Sequence, residues 1–427
     1  MQKTLAAELQ SASVDFGTLH RRYHPMLALV KEMIGIVPNC DTVLEIWPPG
    51  FRSYNLLVPN LFNLPNSVFG SKSFKASMGL AMYASSKAAA CAYCTAHTCS
   101  FALRRGASSD AIKGTRTPKE QAVVALAEGL ARIPAELSLE DVRAAKEYFS
   151  SSEVEWLALS VSMMGFLNKF MDAMGIELEQ DAINDTAPVL AQTGWNPRKH
   201  VNGEYKITKA TTPKQDSLLT YLRIIRQAPG AVALEKKWTR GVPDDYPAAG
   251  EYLKEHTGYS FPILKPIKQG RVLRAITTVL SDNLNKKLTA VGLKTKMVAG
   301  YIFAKLVFND MLRTEVKSMA AHIARELDDE AYHKLDQIAC IELPTDAAMC
   351  NEVIISLQQQ LTLTEKEAAI MLLAIAAAPS PAQVNDTVNE AVLNHAEPQS
   401  IVEIMVWLSI LQLLHRLSSY YTVVKTY

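Results

Sequence analysis

The chain has 427 residues, which at about 100 to 200 residues per domain implies two or three domains, each able to bury a core. Its 44 Lys+Arg against 43 Asp+Glu leave a net charge of +1, which excludes the strong positive field of a nucleic-acid binder. With 48% hydrophobic and 20% charged residues, the composition is globular and excludes an intrinsically disordered chain.

Residues Met1 to Gly17 mix Lys3, Glu8 and Asp15 among small residues and lack the cationic start and apolar core of a secretory signal. The longest unbroken apolar run, Ala368 to Ala378, stops at Pro379, far short of the roughly 18 to 20 residues of a membrane span. No membrane association is expected, and six cysteines are too few for a disulfide scaffold. A cytoplasmic location follows as the expectation.

Apolar residues recur at three- and four-residue spacing almost throughout, as in Val154, Leu157, Val161, Met164, Leu167 and Met171, and this predicts an all-α fold. Thr117-Pro118-Lys119-Glu120 reads as a capping box with proline at the first helical position, and Ser152 to Glu155 reads as a second box. The two signals return at Thr364 to Glu367 and Ser400 to Glu403. Lys75 to Tyr83 can also be laid on Lys296 to Ala304, with a small residue at the same helical step. One helical unit is therefore predicted twice, at 20–195 and 262–427. Two copies could pack about an internal pseudo-twofold axis, as a homodimer does.

Between them, 196–261 contains Pro197, Gly203, Pro213, Pro229, Gly230, Gly241, Pro243 and Pro247 and reads as a linker with short helices such as Ser217 to Arg226. A short ribbon is conceivable over Val201 to Thr208. Downstream, Lys265, Lys268, Arg271, Arg274, Lys286, Lys287, Lys294 and Lys296 are opposed only by Asp282. That stretch reads as a solvated helix face, with anion binding as the alternative.

The reactive residues concentrate at Cys91, Cys94, His97 and Cys99. Two thiols three positions apart lie on one helix face or straddle its start. At a helix N-terminus the unpaired backbone N–H groups would favour a thiolate. His97, one turn beyond Cys94, can take or return a proton, so Cys91, Cys94 and His97 form a candidate set for thiol–disulfide exchange or peroxide reduction. Small buried residues permitting close helix packing, and a structural histidine, are the bland alternatives. Zinc is disfavoured because ligands at 91, 94, 97 and 99 of one helix spread around it. Cys99, Cys40, Cys340 and Cys350 read as packing cysteines, and no nucleotide, nucleophile-elbow or zincin motif occurs.

The run Cys91-Ala92-Tyr93-Cys94-Thr95-Ala96-His97 leads into Ala102 to Ser108. With Gly35-Ile36-Val37-Pro38-Asn39 upstream and Gly165 to Gly175 downstream, it resembles the alkylhydroperoxidase D-like branch of the carboxymuconolactone decarboxylase superfamily. The resemblance covers about 150 residues. It implies two tandem alkylhydroperoxidase D-like helical domains forming a pseudo-dimer, the second degenerate, with symmetric oligomers expected. It also implies a cofactor-free peroxidase or disulfide reductase in which Cys94 attacks, Cys91 resolves, His97 relays protons, and the partners are a peroxide or other small-molecule substrate and a thiol electron donor. The family glutamate twelve positions before the first cysteine is Gly79 here, and the histidine comes one position early. Laying Arg104 on Arg325 puts Leu312 and Glu315 where the thiols would be, so the second copy is expected to scaffold or to shape the pocket. The alternatives are a lyase, decarboxylase or isomerase acting on a small cyclic or aromatic metabolite, and a non-enzymatic redox-sensing scaffold.

Overall fold

In the computed structural model, residues 3–201, 203, 205–211, 213, 215–324 and 327–425 are described. Among them the chain is 72% helical with no strand, so the fold is all-α and no ribbon forms at the described positions of 201–208, where Asn202 and Glu204 lie outside the description. The helices that build the core and the site are α1 (Phe16–Ile34), α2 (Pro48–Leu61), α3 (Lys72–Ala88), α4 (Ala92–Arg104), α5 (Pro118–Ala131), α6 (Ser151–Met174), α7 (Gln180–Leu190) and α8 (Leu218–Trp238). They are followed by α9 (Gly270–Asn283), α10 (Leu293–Leu306), α11 (Asp310–Ile323), α12 (Glu365–Ala377) and α13 (Pro398–Lys425).

Helix ends follow local chemistry, with two corrections to the sequence reading. The boxes at Thr117/Glu120 and Thr364/Glu367 form as read. The box expected at Ser152 is instead made by Ser150 and Glu153, two residues earlier. Ser400 caps nothing, because α13 already begins at Pro398. Glu403 turns inward, where it accepts Ala290 N at 2.6 Å and Val291 N at 3.0 Å and pairs with Lys296 Nζ at 2.6 Å.

The helix pairings run parallel in the two halves. α3 packs on α4, α5 and α6, as α10 packs on α11, α12 and α13. The halves meet through like elements, α6 against α13 and α2 against α9, and one hydrophobic cluster runs through both. α13 is long and apolar enough to cross a bilayer by length and composition, with mean hydropathy 1.4 over its best window, yet that window is wholly buried. Counting unbroken apolar runs passes over it because Glu403, Gln412, His415 and Arg416 interrupt it.

The linker is more ordered than its prolines predict. α8 extends through Pro229 to Trp238, capped by Ser217, and packs on α1. Gly230 makes that approach feasible, since a Cβ there would come within 2.6 Å of Pro25 Cβ. Of the basic residues downstream, Lys265, Lys268, Lys286 and Lys287 are exposed, as a solvated face requires, whereas three others are drawn into pairs or packing. Arg271 bonds Asn60 and backbone carbonyls of α2 and the turn after it, Arg274 pairs with Asp244, and Lys296 is fully buried with Glu403.

Candidate functional site

Ala90 takes a left-handed φ of 54° and turns the chain sharply off α3. Cys91 then becomes the N-cap of α4, its sulfur accepting Cys94 N–H at 3.4 Å. Thr95 and Thr98 return their hydroxyls to the carbonyls of Cys91 and Cys94, at 2.8 and 2.6 Å, which ties down the first turn. Cys91 is completely enclosed and Cys94 is 3% exposed. Both thiols are thus buried, and of the two only Cys94 lines a pocket.

Cys94 and His97 line a narrow pocket of about 100 Å³. Its walls are almost wholly apolar, with Met26, Met33, Val58, Phe62, Phe101 and Met164 among them. Burial, then the neighbouring Cys91, pushes the Cys94 thiol well above its ordinary range, and Cys40 and Asp172 act in the same direction.

His97 Nε2 lies 2.8 Å from Glu179 Oε2. The other carboxylate oxygen accepts Tyr93 O–H at 2.8 Å and Asn39 N–H at 2.6 Å. Asn39 Nδ2 also donates to Glu177 O at 2.9 Å, so the Gly35–Asn39 turn clamps the segment that carries Glu179. Burial would raise the Glu179 carboxyl, but His97 and the Asn39 N–H outweigh it and hold the group below its ordinary value. No glutamate fits at position 79, where a Cβ would lie 2.7 Å from Ala102 Cα across the α3–α4 contact. The carboxylate beside His97 comes instead from Glu179, the N-cap residue of α7.

Sequence reasoning missed three further groups. Cys40, read as a packing cysteine, lines the same pocket as Cys94, and its thiol is hydrogen-bonded with Tyr54. Asp41 is fully buried, and burial pushes its carboxyl up to about 8, so it holds a proton at neutral pH. Arg416, from the far half, is fully buried beside the cysteine pair. Cys99 is packed in the core as expected. Among the described residues no group of three His, Cys, Asp or Glu side chains could hold a metal ion.

No protein-family model matches the chain, and no curated protein matches it. Among solved structures, its fold is similar to the crystal structure of the debrominase Bmp8 in its apo form, at 20% identity and a TM-score of 0.35, over 42% of this chain and 96% of that one. That likeness spans less than half of the chain, and the chemistry has to be read from the side chains themselves.

Proposed function

We propose that the protein is a thiol-dependent oxidoreductase of the alkylhydroperoxidase D type, reducing a hydroperoxide or a partner disulfide through Cys94 and Cys91. The observation that carries this reading is the placement of Cys94, on a pocket wall, one helical turn from the His97–Glu179 pair and one turn from the thiol of Cys91. With a hydroperoxide, the Cys94 thiolate attacks the terminal oxygen, the O–O bond breaks, and the alkoxide leaves as an alcohol with a proton from His97. The Cys91 sulfur then attacks the sulfenic sulfur of Cys94, whose S–O bond breaks, and the hydroxyl leaves with the Cys91 proton as water. A Cys91–Cys94 disulfide forms, and a dithiol donor returns two electrons and two protons. Glu179 orients His97 through the 2.8 Å contact with its Nε2.

The parallel helix pairings support a duplicated unit at 20–195 and 262–427 joined by 196–261, forming an internal pseudo-dimer. The test is hydroperoxide-dependent oxidation of dihydrolipoamide by the full chain, expected in the wild type and absent in Cys94→Ser with the fold retained. Turnover equal to wild type in that variant would overturn the reading.

A second reading has one observation in its favour, the His97–Glu179 pair, of which His97 lines an apolar pocket, with the protonated Asp41 next in sequence to Cys40 on the pocket wall. These could move protons on a small cyclic substrate without the thiols. Turnover of a cyclic acid by Cys91→Ser/Cys94→Ser would support it.

A further inference from the structure

α6 and α13 cross at Gly165, where a Cβ would lie 3.0 Å from both Arg416 Cδ and Gln412 O. The missing side chain lets Arg416 reach across α6 into the first half. Its Nη1 donates to Ser85 Oγ at 2.7 Å and to Val161 O at 2.9 Å. The adjacent residue, Ser86, holds the other party, since its carbonyl accepts Cys91 N–H at 3.2 Å. The end of α3 thus fixes the guanidinium and the cysteine turn together.

Arg416 is 0% exposed, yet among the described residues Nε and Nη2 have no hydrogen-bond partner. The acidic groups that act on it are Cys94 and Cys91. Lys169 offers an internal control. It follows the capping Thr117 by 52 residues (169 minus 117), as Arg416 follows Thr364 (416 minus 364). Lys169 has its donors filled by Ala377 O, Ala378 O and Pro379 O at 2.6 to 2.7 Å, and the charge of Asp172, which itself pairs with Lys199, favours its protonated form from three positions on. Three positions after Arg416 stands Ser419. A buried cation without a carboxylate is strongly unfavourable unless another anion forms beside it.

We propose that Arg416 is the counter-ion of the Cys91–Cys94 pair, so that the second half of the chain supplies the positive charge against which a thiol ionises in a dry site. The inference rests on the redox reading of that pair. Besides Arg416, the groups facing the thiols are Cys40, Tyr54 and Asp172, which oppose ionisation when charged, and Lys169, which favours it. Burial lowers Lys169 to about 7, so its charge fades as pH rises through neutrality, whereas Arg416, lowered by burial to about 9, keeps its own. Arg416 is thus a positioning residue, acting on substrate only through sulfur.

The test uses the reduced full-length chain. Iodoacetamide alkylation of the peptide carrying Cys91 and Cys94 is followed by mass spectrometry across about pH 6 to 9. Arg416→Met is expected to move the alkylation profile up by at least about one pH unit, a roughly tenfold loss of rate near neutrality, and Arg416→Lys to restore most of it. Superimposable wild-type and Arg416→Met profiles would overturn the proposal. Where Arg416→Met fails to fold, the wild type still decides, because thiolate absorbance present in it and missing from Cys91→Ser/Cys94→Ser must appear in that window, and no such difference overturns the ion pair. A wild type that never forms the Cys91–Cys94 disulfide with a hydroperoxide defeats the redox reading. A disulfide that forms together with an unmoved Arg416→Met profile defeats the counter-ion alone.

Discussion

α4 and α11 leave the same kind of turn and carry different chemistry. Ala90 and Phe308 both take a left-handed φ, 54° and 55°, and the next residue caps the helix with ψ of 99° in one half and 96° in the other. The cap is Cys91 in the first half and Asn309 in the second. By the caps, Cys94 corresponds to Leu312 and His97 to Glu315, three residues away from the spacing taken through Arg104 and Arg325, the latter outside the described residues. Asn309 Oδ1 accepts Leu312 N–H at 2.8 Å, and its amide donates to His415 and Ser418 on α13. The sulfur of Cys91 accepts Cys94 N–H at a longer 3.4 Å. Oxygen caps a helix better than sulfur, so the thiol is the weaker structural choice at this cap. Packing fixes the shared turn, and the cap residue sets how firmly the helix start is anchored.

The largest effect that tests this contrast is on turnover. Cys94→Ser is expected to abolish hydroperoxide reduction, whereas Leu312→Ser at the matching position of α11 leaves the rate constant per folded molecule unchanged, both read in a thiol-oxidation assay. Next comes the second half's anchoring pair. Lys296→Met leaves Glu403 buried and unpaired and should cost about 3 to 5 kcal/mol in urea unfolding. Lys75, laid on the same helical step, donates only to Val68 O and Tyr221 O–H at a part-buried position, so Lys75→Met should cost about 1 kcal/mol.

The two acids separate by role. Glu179→Gln is expected to lower turnover by about 100-fold at neutral pH by releasing His97. Glu315→Gln should leave turnover alone and change stability with pH. Burial raises Glu315 to about 7, so the folded chain binds its proton more tightly than the unfolded chain. That contribution is complete below the ordinary carboxyl value and is lost as pH rises through about 7. The wild type should therefore lose stability over that interval, and Glu315→Gln should flatten the loss in unfolding measured at several pH values. The smallest effect is at the caps. Cys91→Ser should stabilise α4 by about 0.5 kcal/mol while removing the disulfide, and Asn309→Ala should cost about 1 kcal/mol.

Much of the scaffold could be read from sequence because it is local. Threonine and glutamate three apart mark the starts of α5 and α12, the helical spacing of Val154 to Met171 marks α6, and Gly106 marks the end of α4 with a φ of 100°. Cys91, Cys94 and His97 are also one local run. The rest of the site comes from chain-distant segments that packing alone brings together. Glu179 reaches His97 across 82 positions, Asp41 and Cys40 arrive from the turn before α2, and Arg416 passes through the opening at Gly165. Glycines 79 and 165 carried the only sequence trace of this, since each marks a place where another helix comes too close for a side chain.

The central claim is that Cys94 and Cys91 exchange electrons with a substrate held in the apolar pocket. The most direct measurement treats the reduced native chain with one equivalent of an organic hydroperoxide and maps its thiols by mass spectrometry. The account predicts a Cys91–Cys94 disulfide, seen as the loss of two hydrogens from their shared peptide, with Cys99 and Cys350 untouched. Both cysteines remaining as thiols while the hydroperoxide persists would contradict it.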